Sequence, residues 1–127
     1  MDVFFGNNLL YTGTGDDTAG TGNDMLYLGS ADGLSDTPIW QSVSDGWTTS
    51  ASWFDYDNDG DMDIFVGKFY DEIYENLDGN LSQYPIWTSQ YGTYTSDVEV
   101  SDFDNDGDWD VAVATSSGQN SIYKCCN

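Results

Sequence analysis

The feature of this sequence that most limits its fold is an acidic segment that occurs twice at a fixed distance. Residues 53–64 read Trp-Phe-Asp-Tyr-Asp-Asn-Asp-Gly-Asp-Met-Asp-Ile, and the pattern returns 47 positions later, at 100–111, as Val-Ser-Asp-Phe-Asp-Asn-Asp-Gly-Asp-Trp-Asp-Val. Further identical pairs share this offset, among them Tyr27 and Tyr74, Leu34 and Leu81, Ser35 and Ser82, Pro38 and Pro85, Ile39 and Ile86, Trp40 and Trp87, and Ser42 and Ser89. One register that explains all of these pairs indicates an internal repeat, which is typical of solenoids and propellers.

The repeat predicts how the chain is divided. Residues 1–54 form a partial first unit, residues 55–101 a complete unit and residues 102–127 a partial last unit. The first unit carries an insertion at about 11–24 that is rich in Gly, Thr and Asp. Because this stretch lacks apolar periodicity, it is predicted to be a loop, where repeat-specific variation usually falls.

Both ends of the chain match internal parts of the repeat. Residues 1–6 align with 62–67, so we expect the chain to open inside a third acidic loop, of which Asp2 is a possible remnant metal ligand. The pair Ile122-Tyr123 aligns with Ile73-Tyr74, and a third Pro-Ile-Trp does not follow it. We therefore expect about two and a half units here, with the remaining units in missing sequence or in other copies.

Each unit is predicted to hold four short antiparallel strands. Apolar alternation predicts a first strand from Thr95 into the acidic loop and a second that leaves the loop at 63–67. A third strand at 73–76 and a fourth at 84–87 are separated by a glycine turn. Four strands in a repeat of about 40 to 50 residues are the dimensions of a propeller blade. The predicted fold is all-β, an incomplete β-propeller of about two and a half four-stranded blades.

The acidic loops, which read Asp-x-Asp-x-Asp-Gly-Asp-x-Asp, predict calcium sites. Calcium takes about six to eight oxygen ligands, and carboxylates at loop positions 1, 3 and 5 converge when the backbone curls around the ion. Glycine at position 6 permits the bend, position 7 offers mainly its backbone carbonyl, and position 9 supplies another carboxylate. The predicted metal residues are Asp55, Asp57, Asp59, Asp61 and Asp63 in one loop, and Asp102, Asp104, Asp106, Asp108 and Asp110 in the other.

Other metals and a helical EF-hand fit the loops less well. Zinc lacks its preferred ligands, since the chain has no histidine and its two cysteines are adjacent. An EF-hand needs flanking helices and a glutamate at position 12, where Val66 and Val113 stand. Without that glutamate we expect a dissociation constant of ~10⁻⁴ to 10⁻³ M, in the range of extracellular modules. The predicted role of the ion is mainly structural.

The charge balance excludes several classes of function. The chain has 23 acidic residues against Lys68 and Lys124, for a formal net charge of -21. Binding to nucleic acid phosphates or to anionic membranes needs an excess of Lys and Arg. No catalytic constellation stands out either, since histidine is absent and the paired carboxylates are assigned to calcium. We therefore do not expect an enzyme, a nucleic-acid-binding protein or a membrane-inserted protein.

Three further features have a functional and a structural interpretation. Trp47 and Tyr94 stand at equivalent positions beside Gly and Thr, and are candidate ligand-binding rings, whereas the repeated Trp40 and Trp87 favour the core. The triplet at Asn80 is an N-glycosylation acceptor on a predicted turn. The adjacent cysteines Cys125-Cys126 would form disulfides with partners elsewhere in a secreted protein.

The unit resembles the FG-GAP/VCBS repeats of integrin alpha-chain propellers, fungal propeller lectins and many microbial surface proteins. The resemblance lies in the two Asp loops, the Ile/Val-rich strands after them, and Tyr74, Leu81, Pro85 and Trp87 with their partners. Lys68-Phe69 stands where a Gly-Ala-Pro would be expected, which is closer to the VCBS branch. The resemblance implies that the loops bind calcium, that the blades form a closed ring, and that the ring faces serve adhesion or sugar binding.

The expected function is that of an extracellular or cell-surface, calcium-stabilised propeller segment in adhesion or carbohydrate binding, with a glycan or a surface protein as ligand. Two alternatives stay open. Units with open edges could assemble head to tail into a homo-oligomer or a surface filament. The chain could also be an accessory propeller of a secreted polysaccharide-degrading enzyme.

Overall fold

The structure is a computed structural model that describes residues 22–124 and the backbone of residues 3–6. Within these residues the fold is all-β without a helix, and its antiparallel sheets do not close into a barrel, so the predicted all-β class is confirmed, whereas the assignment to propeller blades stays a prediction. The strands are β1 (Val3–Gly6), β2 (Asn23–Ser30), β3 (Gly33–Leu34), β4 (Trp40–Asp45), β5 (Ser50–Phe54), β6 (Asp63–Gly67), β7 (Glu72–Tyr74), β8 (Asn76–Leu77), β9 (Asn80–Leu81), β10 (Trp87–Thr88), β11 (Thr95–Ser101), β12 (Asp110–Thr115) and β13 (Ser121–Lys124).

Some predictions fall outside this part of the chain. Asp2, residues 11–21 of the predicted insertion, and Cys125-Cys126 lie outside the described residues. Over the described ranges, no helical segment has the length and apolar character needed to cross a membrane.

The chain divides into two compact units, Met1–Trp47 and Thr48–Asn127. In the first unit β2 is the central strand, which pairs antiparallel with β1, with β4 and with the short β3. The second unit contains the four-stranded sheet β10-β7-β6-β5, the three-stranded sheet β11-β12-β13 and the hairpin β8-β9. In both larger sheets of the second unit, the strands are arranged across the sheet in their order along the chain, with the β8-β9 hairpin standing between β7 and β10 in sequence.

The repeat is visible in the strand register of the two units. Leu26 in β2 lies opposite Trp40 in β4, and Ile73 in β7 lies opposite Trp87 in β10. Both members of the first pair are displaced by 47 positions from those of the second. The equivalence seen in the sequence is therefore an equivalence of position in the sheet.

The turn and the fourth strand of the complete unit follow from their glycine and proline. Asp78 and Gly79 have φ values of 53° and 82°, as a two-residue hairpin turn between β8 and β9 requires. The predicted fourth strand at 84–87 is shorter and later than expected, since β10 covers only Trp87–Thr88. Pro85 has no N–H to donate to the neighbouring strand, so regular pairing starts after it.

The core of the second unit lies between its two larger sheets. Its buried cluster consists of Phe54, Phe65, Ile73, Val98, Val111 and Val113, and the half-buried Tyr56, Trp87, Val100 and Tyr123 pack against it. β6 is buried along its whole length, which explains its nearly continuous apolar run. Burial of one such Phe or Val side chain stabilises the fold by about 1.5 to 3 kcal/mol. This core holds together the β5–β6 and β11–β12 hairpins, which carry the two acidic loops.

Candidate metal centre

The first acidic loop connects β5 to β6 and folds back onto its own first carboxylate. Asp55 Oδ1 accepts a hydrogen bond from the backbone N–H of Asp59 at 3.1 Å, and its Oδ2 accepts one from Gly60 at 3.0 Å. Aspartate favours such local bonds to the backbone that follows it, which is why it is frequent in tight turns. The local sequence therefore closes this loop without help from distant residues.

The second acidic loop, between β11 and β12, repeats this arrangement. Asp102 Oδ1 accepts from the N–H of Asp106 and its Oδ2 from the N–H of Gly107, both at 3.1 Å. The donors stand at the same loop positions as in the first loop. Two loops in consecutive sheets thus adopt one hydrogen-bonded conformation.

The backbone angles of the two loops agree as well. Asn58 and Asn105 have φ values of 60° and 61°, in the left-handed region that asparagine tolerates better than most residues. Gly60 and Gly107 have φ values of 97° and 98°. A Cβ added at either glycine would meet no atom within 4 Å, so glycine is needed for its backbone angle and not for space.

Asp63, at position 9 of the first loop, is a buried carboxylate beneath the loop. Its exposed fraction is 0%, its Oδ2 accepts from the N–H of Tyr56 and its Oδ1 from the N–H of Asn76, both at 2.7 Å. Burial raises the pKa of Asp63, and the charges of Asp57 and Asp59 add to this, although the two N–H donors oppose it. A cation near this carboxylate would favour its charged form.

Asp110 is the counterpart of Asp63 in the second loop. It is also buried, and its Oδ2 accepts from the N–H of Phe103 at 3.1 Å, as that of Asp63 does from Tyr56. The counterpart of Asn76 would be Cys125, which lies outside the described residues. Each loop therefore has a buried carboxylate at its base.

Three carboxylates converge in each loop. The ligand atoms of each trio lie within 4.8 Å of one another. Two oxygens that bind one calcium at about 2.3 to 2.6 Å cannot be more than about 5 Å apart, so both trios have a suitable spacing. Either group could hold a metal ion: Asp55, Asp57 and Asp63 in the first loop, and Asp102, Asp104 and Asp106 in the second.

The other predicted metal residues have different roles in the described contacts. Asp59 accepts from the N–H of Asp61 at 2.8 Å, and Asp110 lies at the base of its loop outside the second trio. The Asp61 side chain accepts from the N–H of Asp78 at 2.8 Å, in the turn of the β8–β9 hairpin. At position 7, the backbone carbonyl was expected to be the main ligand of the ion, and this stays a prediction.

Asn58 joins the two loops, a role that the sequence analysis did not assign. Its Nδ2 donates to Asp108 Oδ1 at 2.9 Å. Asp108, like Asp61, thus uses its side chain in a contact outside its own loop. Asparagine at position 4 of both loops was a visible signal, but it indicates only the positive φ and not the contact between loops.

Lys124 was also missed as a neighbour of the second site. Its Nζ forms an ion pair with Asp104 Oδ2, and this hydrogen bond holds the pKa of Asp104 below its usual range and raises that of Lys124. Tyr123 lies opposite Val111 in the sheet as Tyr74 lies opposite Ile64, which makes Lys124 the counterpart of Glu75.

The predicted ligand-binding rings are both solvent-exposed. Trp47 has an exposed fraction of 58% and Tyr94 one of 53%. The Tyr94 ring packs against Phe69 with a centroid distance of 4.9 Å, and Phe69 contacts Tyr70 edge to face at 4.9 Å. Asn80 is exposed at the start of β9, where its Nδ2 donates to two carbonyls of the hairpin at 3.3 Å. Their roles in binding and glycosylation stay predictions.

The geometry defines the class of protein only as an all-β repeat protein with two acidic loops that could each hold a metal ion. A scan of known protein-family models finds none that matches this chain, and a search of curated proteins finds no relative.

Proposed function

We propose that this chain is a segment of a calcium-stabilised β-propeller-type repeat protein of the FG-GAP/VCBS kind, which serves adhesion or carbohydrate binding outside the cell. The observation that carries the proposal is the pair of loops with one conformation in consecutive sheets, each with three converging carboxylates. An acidic surface that served only solubility would not require carboxylate oxygens that converge to the spacing of metal ligands in both loops.

Calcium is the cation that these residues fit best. All side-chain donors of both trios are carboxylate oxygens, and hard oxygen ligands suit Ca²⁺ and Mg²⁺. Magnesium requires nearly ideal octahedral geometry and gives up its waters reluctantly, whereas calcium accepts irregular sets that include backbone carbonyls. Asp55, Asp57 and Asp63, or Asp102, Asp104 and Asp106, would hold the ion, and Asp59 and Asp110 are close enough in sequence to complete each set.

The expected effect of the ion is to stabilise the fold. Two carboxylates about 4 Å apart repel by about 1 kcal/mol in water and about 4 kcal/mol at an intermediate dielectric constant, and a divalent cation removes this cost. At a free calcium concentration about ten times the dissociation constant, each occupied site adds about 1.4 kcal/mol to the free energy of unfolding. Because Asn58 contacts Asp108, ordering one loop also favours the order of the other.

The sheets of the second unit support the assignment to blades. β5, β6, β7 and β10 form a four-stranded antiparallel sheet in sequence order, as expected for a blade, and β11, β12 and β13 repeat its first three strands. The two sheets share a core, as neighbouring blades do.

Exposed aromatic rings favour a neutral sugar as the ligand. Phe69, Tyr70 and Tyr94 form an exposed cluster on the segments between β6 and β7 and between β10 and β11. Such rings stack on the apolar face of a sugar, and tyrosine hydroxyls add hydrogen bonds. Both lysines pair with carboxylates, Lys68 with Glu72 at 2.7 Å and Lys124 with Asp104, which disfavours an anionic ligand.

A cation titration of thermal unfolding tests the calcium assignment. Calcium should raise the melting temperature by several degrees over a chelated sample, and equimolar magnesium should do so much less. Asp57→Ala and Asp104→Ala should each remove part of the calcium response, and Asp36→Ala, outside both loops, should retain it. A melting temperature that calcium leaves unchanged contradicts the proposal.

Binding to a glycan array tests the adhesion role. A sugar ligand is supported if the chain binds a glycan and Tyr94→Ala weakens this binding. A chelator should abolish the binding only under conditions in which it also unfolds the chain. Concentration-dependent fibres without any glycan binding would instead favour the filament alternative.

A further inference from the structure

One side-chain contact connects the two acidic loops, and we call it the bridge. Asn58, at position 4 of the first loop, donates from its Nδ2 to Asp108 Oδ1, at position 7 of the second loop, at 2.9 Å. Because 50 residues separate the two along the chain, the contact depends on the core that the β5–β6 and β11–β12 hairpins share. A hydrogen bond to a charged carboxylate is stronger than one between neutral groups. The bridge is therefore a direct physical link between the two candidate cation sites.

Both ends of the bridge stand next to candidate cation ligands. Asn58 lies between Asp57 and Asp59, and Asp57 Oδ1 accepts from the N–H of Asp59 at 3.2 Å. At the other end, the backbone N–H of Asp108 donates to Asp106 Oδ1 at 3.0 Å, and Asp106 belongs to the second trio. A displacement of the ligands in one loop therefore displaces one end of the bridge.

Position 7 has a different partner in each loop. In the first loop, Asp61 Oδ2 accepts from the N–H of Asp78, in the turn of the β8–β9 hairpin. In the second loop, Asp108 accepts from the neighbouring acidic loop instead. The two loops thus share one conformation, but the side chain at position 7 holds the first to a hairpin and the second to the first loop.

A cation in one loop should strengthen the bridge. An exposed hydrogen bond contributes little while both of its ends move, because the bond must offset the entropy lost in ordering two side chains. A cation that orders the first loop fixes Asn58 and removes part of this cost for Asp108. The second cation then binds a loop that is already partly ordered, which is positive coupling that needs no change of structure.

The charges of the two ions act in the opposite direction. Each cation adds two positive charges, so the first ion weakens the attraction of the other loop for the second ion. Salt screens this repulsion, because the Debye length falls from about 10 Å at 0.1 M to about 3 Å at 1 M. The bridge is a direct contact at 2.9 Å and is screened much less. Ionic strength therefore separates the two effects.

We propose that the two candidate cation sites bind calcium cooperatively and that the bridge between Asn58 and Asp108 carries the coupling. The inference rests on the proposed function, because it needs a cation in each loop, and it goes further, because independent sites would serve that function equally well. The net contribution of one hydrogen bond limits the coupling to about two- to tenfold in affinity. This coupling should grow as salt is added.

The proposal is tested by comparing the calcium affinity of the first loop with and without a functional second loop. The amides of Gly60 and Gly107 report the occupancy of the two loops by NMR, in about 1 M sodium chloride to screen the charges. Asp104→Ala removes a ligand of the second trio and should weaken calcium binding at the first loop by about two- to tenfold. The same substitution in an Asn58→Gly chain should leave the affinity of the first loop unchanged, because the bridge is already absent.

Asn105→Gly is the matched control. Asn58 and Asn105 both stand at position 4 of a loop with φ values of 60° and 61°, which glycine adopts without strain. Only Asn58→Gly removes the bridge, so Asp104→Ala should still weaken the first loop in an Asn105→Gly chain. Asp108→Ala removes the other end of the bridge and should give the same result as Asn58→Gly. Thermal melts in chelator establish that each variant folds.

The outcomes distinguish this proposal from the proposed function. If both loops bind calcium but Asp104→Ala leaves the first loop unchanged, or weakens it equally with and without Asn58, the coupling proposal is wrong and the calcium assignment stands. Coupling that disappears between about 0.1 M and 1 M salt would show that charge and not the bridge connects the loops, and would also overturn the proposal. If neither glycine amide responds to calcium, the proposed function itself fails and the coupling fails with it.

Discussion

The two acidic loops have the same conformation but different surroundings. Within each loop, an initial aspartate accepts the same two N–H groups and the φ angles of equivalent residues agree within one degree. Outside the loops, Lys124 contacts Asp104 of the second loop, whereas Glu75 stands at the equivalent position next to the first. The conformation of each loop is thus determined by its own nine residues. The charge near each loop is determined by residues that follow it later in the chain.

This difference separates two effects that are easily confused, namely the folding of the loop and its affinity for a cation. Substitutions of the buried carboxylates and the glycines should act equally in both loops, because the local structure is the same. Substitutions of the neighbouring charged residues should act in opposite directions.

The largest expected effect is the loss of Asp63. Asp63→Ala leaves the N–H groups of Tyr56 and Asn76 without their acceptor and should lower the free energy of unfolding by about 2 to 4 kcal/mol, even in chelator. The exposed Asp57 is the control, since Asp57→Ala should change the free energy of unfolding by less than about 0.5 kcal/mol in chelator. Denaturant unfolding with and without calcium measures both.

Asp110→Ala provides the comparison with the second loop. If the two loops are equivalent, its cost in chelator should match that of Asp63→Ala within about 0.5 kcal/mol. A much smaller cost would show that the carboxylate at the base of the second loop does not support its structure.

Asp71 is another buried carboxylate, and it lies between β6 and β7 and outside both loops. Its substitution therefore distinguishes the effect of losing a buried carboxylate from the effect of losing a cation ligand. Its Oδ1 accepts from the N–H of Lys68 at 3.1 Å and from Thr95 Oγ1 at 2.7 Å, and its Oδ2 accepts from the Tyr123 hydroxyl at 3.4 Å. These contacts join the two sheets of the second unit. Asp71→Ala should cost about 2 to 3 kcal/mol whether calcium is present or not.

The pH dependence of Asp71→Asn checks the environment of this carboxyl. Burial raises the pKa of Asp71 above its ordinary value of 3.8, although the bonds from Thr95, Lys68 and Tyr123 oppose this. The stabilising contribution of such a group is present below pH 3.8 and is lost as the pH rises through the raised pKa. Relative to the native chain, Asp71→Asn should therefore gain stability with rising pH across that window, and unfolding curves at several pH values in chelator measure it. A difference that does not vary with pH would mean that the carboxyl is not buried as described.

The sequence predicts what depends on local residues. The all-β class, the hairpin at Asp78-Gly79 and the convergence of Asp55 with Asp57 each follow from a short stretch of residue types. The role of Asp71 was not predicted, because its partners Thr95 and Tyr123 are distant along the chain.

The same limit applies to the surroundings of the candidate metal centre. The offset of 47 residues aligns one acidic loop with the other, but the contact of Lys124 with Asp104 depends on the packing of β13 beside β12. The sequence separation of Asp104 and Lys124 matches no helix or turn periodicity, because the pairing of β13 with β12 alone brings the two side chains together. Repeats therefore predict the shared features of the sites better than the differences between them.

Glycine substitutions should have a smaller effect that is equal in the two loops. Gly60→Ala and Gly107→Ala force a side chain into a positive φ with space around it, so each should cost about 1 to 2 kcal/mol from backbone strain alone. Gly79→Ala is the matched control, because its φ is also positive and its surroundings are also open, but it lies outside the acidic loops. It should cost a similar amount in denaturant unfolding without changing calcium affinity.

The smallest expected effect is on cation affinity and has opposite signs at the two sites. Lys124→Glu removes the ammonium group that competes for Asp104 and should tighten binding at the second loop by up to about fivefold, whereas Glu75→Lys should weaken the first loop by a similar factor. Because the Lys124 side chain is exposed and Glu75 is half-buried, the changes should shrink as salt is added. Calcium titrations of each variant in low and high salt, followed by the amides of Gly60 and Gly107, resolve the two sites. If both variants shift the same loop, or neither shifts with salt, the charge of β13 does not distinguish the two centres, and the difference between them must come from the loops themselves.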